Sequence, residues 1–274
     1  MTPDTGTRIP TITREDLRQA RRSRLLWGAL VLVALLVLPA FWSRTSNLRA
    51  IEGQPPPAVE GVLLVPGYLS TYLFLVVAAL AYGAVAAERE SGSVRLLLGL
   101  AGTRRDVLVG KLLARVAMLV GVLAALLAAM AGMLALNERV AVVPFLLVGG
   151  WVLVYGAAWT AFAVGVSAAF ASQYRALVAI AGTYVVLAWN APVWKAVLEP
   201  GLRALLPPGL SPYVSALNPT LSLAVVSRWL VAASTSAPDE VGAGPAAVSG
   251  LVLLGIAAVG LLVGARRFGT VDVG

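Results

Sequence analysis

Residues 88–106 read Glu88-Arg89-Glu90-Ser91-Gly92-Ser93-Val94-Arg95-Leu96-Leu97-Leu98-Gly99-Leu100-Ala101-Gly102-Thr103-Arg104-Arg105-Asp106. The stretch is too charged to lie in hydrocarbon and too regularly punctuated to be a plain turn. Gly92 can end a helix arriving from the N-terminal side, because glycine tolerates the left-handed cap. Ser93 can cap a new short helix with Leu96, Leu97 and Leu100 on its apolar face. Gly102 breaks that helix. Thr103, with Asp106 three residues on, caps a third helix that runs through Lys111. The pattern predicts a short amphipathic helix held between two long ones. An element fixed at both ends to rigid rods can press on a partner and transmit its motion.

Both flanks of this stretch are apolar. Gly61–Ala87 and Val116–Asn137 carry no charge, and neither do Leu25–Ser43, Val140–Tyr174, Ala176–Trp194 and Val241–Ala265. A crossing helix needs about 20 such residues, and charges at the bilayer centre are costly. The reading is an all-α integral membrane protein with six transmembrane helices, at about 25–43, 62–87, 112–136, 145–170, 176–194 and 245–265. Residues 1–24 form an N-terminal segment and residues 25–274 the membrane domain. Pro144 suits the start of the fourth span, and Gly149-Gly150 is the one place where that span could break. Ala204–Ser227 is also uncharged, but Pro207, Pro208, Pro212 and Pro219 interrupt any helix there. It reads as part of an external loop, 195–244. Within it, Thr220–Val231 could form a short helix lying in the interface, with Arg228 towards water.

Composition agrees. Of 274 residues, 59% are hydrophobic and only 12% charged, against roughly a quarter charged in soluble domains. The chain has no Cys and no His. That removes disulfides, thiolate and imidazole chemistry and the usual zinc sites. A net charge of +8 would suggest nucleic acid in a soluble protein. In a membrane protein it reads as basic residues held in the cytoplasm, and no nucleic-acid partner is expected. With six spans and the N-terminus inside, 15 of the 21 basic residues fall on the cytoplasmic side. Trp27 and Trp42 bracket the first span, and Trp189 and Trp194 lie near the outer end of the fifth. The first span reads as an uncleaved signal anchor, because its polar lead is long and no small-x-small site follows.

The N-terminal segment predicts a helix of its own, with Thr13 as cap and Asp16 as the weaker partner of a capping box. Leu17 and Ala20 share one side, and Arg14, Arg18, Arg21 and Arg22 cover much of the rest. Such a helix beside a span rests in the headgroup layer, either as an anchor alone or also touching a cytoplasmic partner.

The run Glu88-Arg89-Glu90-Ser91-Gly92-Ser93, the leucines after it, Thr103-Arg104-Arg105 and Gly110-Lys111 resemble the coupling region of ABC exporter permeases of the second type (ABC-2). Leu217-Asn218-Pro219 is similar to that family as well. The resemblance implies an N-terminal elbow helix carrying Arg14, Leu17, Arg18 and Arg21. It implies ATPase coupling by Glu88, Glu90, Ser91, Gly92, Leu96, Leu97, Leu100, Arg104, Arg105 and Lys111. It implies a separate cytoplasmic ABC ATPase subunit holding ATP and Mg, and no cofactor in this chain. Permease chains would pair as a homodimer or heterodimer in the plasma membrane, both termini cytoplasmic, in contact with membrane lipid. Consistently, the sequence lacks G-x-x-x-x-G-K-[ST]: Gly110-Lys111 is followed by Leu112.

Ala157, Ala161, Gly165 and Ala169 recur every fourth residue, as do Gly260 and Gly264. Such rows let helices approach closely in lipid, within one subunit or between two. The spans hold almost no ionisable groups, which argues against an ion-coupled carrier. Thr71, Tyr72, Thr160, Thr183, Tyr184 and Asn190 are the polar candidates for a pathway, and so apolar a path suits an amphipathic substrate. The competing readings are an accessory or assembly membrane protein and a membrane enzyme. The enzyme would have to rest on Glu88 and Glu90 alone.

Overall fold

A computed structural model describes residues 5–50, 56–93, 103–137, 140–188 and 192–270. Among them the chain is helical throughout, without a strand: α1 (Thr5–Arg21), α2 (Arg24–Ser46), α3 (Pro57–Ala81), α4 (Ala86–Glu90), α5 (Arg104–Leu136), α6 (Val142–Ala169), α7 (Gln173–Leu187), α8 (Glu199–Leu205), α9 (Tyr213–Ala216), α10 (Ser222–Ser234) and α11 (Ala243–Thr270). A π-helical turn, Trp194–Leu198, leads into α8. Residues 94–102, with Leu96, Leu97 and Leu100, lie outside the described residues, as do Trp189 and Asn190.

Five helices are long and apolar enough to cross a membrane: α2, α3 continued by α4, α5, α6 and α11. The fifth expected span is shorter than its reading. α7 has 15 residues, a rise of about 22 Å against about 30 Å of hydrocarbon. It ends where Ala188 turns extended. There the Leu187 carbonyl accepts from Asn218 Nδ2 at 2.8 Å and lies 2.8 Å from the Thr220 hydroxyl. Asn218, fully buried, also takes the Thr220 amide on its Oδ1 at 2.9 Å. The Leu217-Asn218-Pro219 turn is thus tied to the end of α7 by side-chain-to-backbone hydrogen bonds inside the bundle.

α10 corrects a second expectation. It does not rest on the surface but packs against α3, α6 and α11. Leu223, Val225, Val226 and Val231 face inward, and Arg228 is exposed. On α6, Trp151 Nε1 donates to the Ser222 carbonyl at 3.1 Å, and the Tyr155 hydroxyl to that of Thr220 at 3.4 Å. Tyr155 sits midway along α6, so residues 218–222 reach mid-bundle. The prolines correctly excluded a spanning helix here. They did not exclude a short one that dips inward, because its exposed carbonyls find donors on neighbouring helices.

α6 runs unbroken through Gly149-Gly150, in keeping with the reading of one span there. The second span does break, at Tyr82–Val85, where the buried Ser167 stands in for the missing helix bonds. Its Oγ accepts from the Val85 and Ala86 amides at 3.0 and 3.1 Å and donates to the Tyr82 carbonyl at 2.9 Å.

The rows of small residues are used within the chain. α11 lies along α6 so closely that a Cβ on Gly165 would strike the Gly260 backbone, and one on Gly264 the Gly165 backbone. A Cβ on Gly260 would come within 2.7 Å of the Phe162 ring. Without a hydrophobic drive between helices in lipid, such contact is what holds them together. Gly165→Leu should therefore destabilise the protein by roughly 1–3 kcal/mol. Gly121→Leu is the control, since nothing lies within 4 Å of a Cβ there. Thermal unfolding of both in detergent checks this, and equal midpoints would contradict the packing.

Candidate functional site

The charged residues of the 88–115 region do not all point outward; several converge. α5 has 33 residues, about 50 Å of helix, so it outruns the hydrocarbon by several turns. Its first third, Arg104–Arg115, forms a basic end of the bundle together with α1 and α4. Lys111 is 2% exposed there and Asp16 is 4% exposed. Lys111 Nζ lies 3.1 Å from Asp16 Oδ1 and 2.6 Å from Glu88 Oε1. One turn further along α5, Arg115 pairs with the same aspartate, Nη2 donating to Oδ1 at 3.0 Å and Nε in ion-pair contact 2.9 Å from Oδ2. Two cations meet two carboxylates, so the cluster is formally neutral, as burial demands.

α1 reaches this cluster because α5 has a gap for it. A Cβ on Gly110 would come within 2.8 Å of Ile12 Cγ2. The Thr13 hydroxyl donates to the Ile9 carbonyl at 2.9 Å and lies 3.1 Å from that of Gly110. Thr13 is therefore not an N-cap, because α1 is already helical from Thr5. Asp16 is not a capping partner but the carboxylate that Lys111 and Arg115 share. The other face of α1, with Arg14, Arg18 and Arg21, is exposed, while Leu17 is half-buried. Trp27 Nε1 donates to the Arg21 carbonyl at 2.7 Å and Ser23 caps α2, together fixing the α1–α2 corner.

Glu88-Arg89-Glu90 fans out to three helices. Glu88 reaches Lys111 on α5. Arg89 Nη1 donates to the Ala168 and Phe170 carbonyls at 2.8 and 3.1 Å, closing the end of α6. Glu90 Oε2 accepts from the Gln173 amide at 3.1 Å at the start of α7. Carboxylates suit helix N-termini and cations suit C-termini. Arg104 repeats the motif on α11, donating to the Phe268 carbonyl at 2.9 Å and to that of Gly269, with its guanidinium 5.9 Å from the Phe268 ring centre.

The described residues that flank positions 94–102 both belong to this platform. Gly92 has φ +75, the left-handed conformation expected of it, and the Ser91 and Ser93 hydroxyls lie 2.9 Å apart. At the other end the Thr103 hydroxyl accepts the Asp106 amide at 3.1 Å, the cap read from the sequence. Ser91, Gly92 and Arg105 are exposed. Of the residues expected to couple to a partner, Glu88, Arg104 and Lys111 are therefore engaged inside the chain. Glu90 is shared, and Ser91, Gly92 and Arg105 remain on the surface.

From the sequence, Asp16 reads only as a capping residue and Arg89 only as part of the run 88–93, while Arg115 and Ser167 are given no role in a site. Lys111 and Arg115, four residues apart on one helical face, were a usable signal, since two cations beside a span call for carboxylates.

The polar pathway candidates are mostly occupied by backbone. Thr71 donates to Gly67, Thr183 to Ala179 and Tyr184 to Ser70, at 3.4, 2.9 and 2.8 Å. Thr160 is buried without a hydrogen-bond partner among the described residues. From mid-bundle towards the end opposite the basic one, a cavity of about 500 Å³ has a mixed lining that includes Ser70, Thr71, Thr220, Arg228 and Glu240. No cluster of metal-binding side chains occurs among the described residues.

Removing the Lys111 ammonium would strand Glu88, because Arg115 still holds Asp16. Lys111→Met should destabilise the protein by about 3–5 kcal/mol, and adding Glu88→Gln should recover part of that loss by restoring neutrality. A double-mutant cycle on unfolding midpoints measures it. Strict additivity would rule out the coupling between the two residues.

In comparisons with known proteins, a family model described as "ABC-2 family transporter protein" matches residues 11–273. No curated protein matches the chain.

Proposed function

The chain belongs to the ABC-2 family of transporter proteins, a multi-pass membrane family, and from that premise we propose that it is the permease subunit of an ATP-driven exporter. A separate cytoplasmic ABC ATPase would bind and hydrolyse ATP with Mg. The permease would turn the ATPase's motion into movement of substrate across the membrane. The basic end of the bundle faces the cytosol in this reading, with both termini on that side, as the distribution of basic residues favours.

The observation that carries the proposal is the anchoring of segment 94–102. Its N-terminal end hangs from α4, which Glu88, Arg89 and Glu90 tie to α5, α6 and α7. Its C-terminal end is the capped start of α5. A push on the segment is therefore delivered to four helices together. Leu96, Leu97 and Leu100 would sit in an apolar groove of the ATPase. Arg105 and Ser91, exposed on either side of the segment in sequence, would set the register. Two permease chains would pair around the pathway, and the cavity towards the opposite end, beside Asn218 and Thr220, would lie on the exit side.

An aspartate at a buried apolar contact costs about 2 kcal/mol or more, about thirtyfold in affinity. Leu97→Asp should therefore lose co-purification with the ATPase and substrate-stimulated ATP hydrolysis, while the unfolding midpoint stays that of the parent. If the variant assembles and couples like the parent, segment 94–102 is not the coupling element. Substituted cysteines at Ser91 and Arg105 should react with impermeant maleimides only from the cytosolic face. Labelling from outside would invert the topology.

A further inference from the structure

A groove of about 640 Å³ runs between the α1–α2 corner and α5, open to the outside of the bundle. Along α5 it is lined by Ala117, Gly121, Ala125 and Ala129, one residue per turn. Nothing lies within 4 Å of where a Cβ on Gly121 would be, so the channel over these small residues is open. From Ala117 to Ala129 the helix rises about 18 Å, close to the roughly 15 Å of hydrocarbon in one leaflet. The groove therefore has the length of one acyl chain and begins at the basic end of the bundle.

Its mouth has a single charged lining residue, Arg21, with Trp27 beside it. Arg21 is exposed and makes no ion pair among the described residues, and Arg22 and Arg24 next to it are exposed as well. Both carboxylates of α1 are engaged elsewhere: Asp16 in the buried cluster, and Glu15 with Arg18 at 3.5 Å. The result is an apolar slot of one-leaflet length under a net-positive mouth, with an indole at the interface.

We propose that this groove is a binding site for an anionic glycerophospholipid, its acyl chain along α5 and its phosphate at Arg21. Basic pockets between spanning helices take anionic headgroups for this reason. A second copy of the chain fits the groove poorly. Two-fold pairing about an axis along the bilayer normal brings like surfaces together, and would gather Arg21, Arg22 and Arg24 of both copies into one interface. A lipid phosphate neutralises them instead. Lipid held there would brace the corner that joins α1 to the first span, and would link the bilayer's charge to the position of α1.

The test uses the purified full-length protein in phosphatidylcholine nanodiscs doped with dibrominated phosphatidylglycerol or dibrominated phosphatidylcholine. Quenching of Trp27 is obtained by difference from Trp27→Phe. The anionic probe should quench Trp27 at several-fold lower mole fraction than the zwitterionic one. Arg21→Gln should cut that preference about fivefold, the equivalent of about 1 kcal/mol. Gly121→Leu, which fills the channel, should reduce quenching by both probes. Native mass spectrometry, counting phosphatidylglycerol retained by the parent, Arg21→Gln and Gly121→Leu, gives a second readout that needs no tryptophan variant. Equal quenching by the two probes, a preference that survives Arg21→Gln, or efficient disulfide formation between copies at Ala125→Cys would each overturn the proposal. None of these outcomes depends on an ATPase partner.

Discussion

Lys111 is a full positive charge with almost no access to water, and much of the basic end of the bundle is arranged around that fact. Burying an ammonium costs several kcal/mol unless opposite charge and hydrogen bonds meet it at close range. Here Glu88 arrives from α4, Asp16 from α1, and Arg115 compensates the second carboxylate from one turn further along α5. Three segments distant in sequence must be in register for the cluster to be neutral. α1 sliding by a turn, or α4 rotating, would leave a bare charge indoors. The cluster is thus better understood as a device that fixes geometry than as a source of net stability. Apolar residues of the same shape could stabilise as much, but would not penalise wrong arrangements so steeply.

The two ends of the bundle are held by different chemistry. At the basic end the bonds are charge-assisted and run between side chains, or from side chains to helix termini. Arg89 closes α6, Glu90 opens α7 and Arg104 closes α11. At mid-bundle and beyond, the ties are neutral: Asn218 and Thr220 on the Leu187 carbonyl, Trp151 on Ser222, Tyr155 on Thr220. Charge-assisted bonds are roughly twice as strong as neutral ones. The basic end is therefore the more tightly tied of the two, and the turn around Asn218 is held by neutral bonds alone.

The sequence made the lipid-solvated helices legible because apolar length and charge gaps are local properties. α2, α5, α6 and α11 run through stretches that read as apolar, and the Gly92 turn and the Thr103 cap were legible because their partners lie three residues or fewer away. What escaped was every feature decided by a distant neighbour. Nothing near Tyr82 announces that the helix breaks there, since the compensating hydroxyl is Ser167, 85 residues on. The early end of α7 depends on donors from Asn218 and Thr220. Asp16 read as a capping residue because its sequence neighbours allowed that reading, and because the cation that claims it lies 95 residues away. The small-residue rows were visible, but whether they served one subunit or two depended on where α11 packs.

These assignments change how the charged motif should be read. Glu88 and Lys111 look like surface recognition residues when seen in the run of sequence, yet both are bound within the chain, and so is Arg104. Loss of transport on altering them would report a displaced α1 or a loosened α11 as readily as a lost partner. Of the described residues expected to couple, those left free to recognise a partner are the ones that no other helix claims, namely Ser91, Gly92 and Arg105. This division has a physical logic. A lever that transmits force needs a contact surface that can adapt to its partner and a root that cannot move. Here the charges that could have served the surface have instead been drawn into the root.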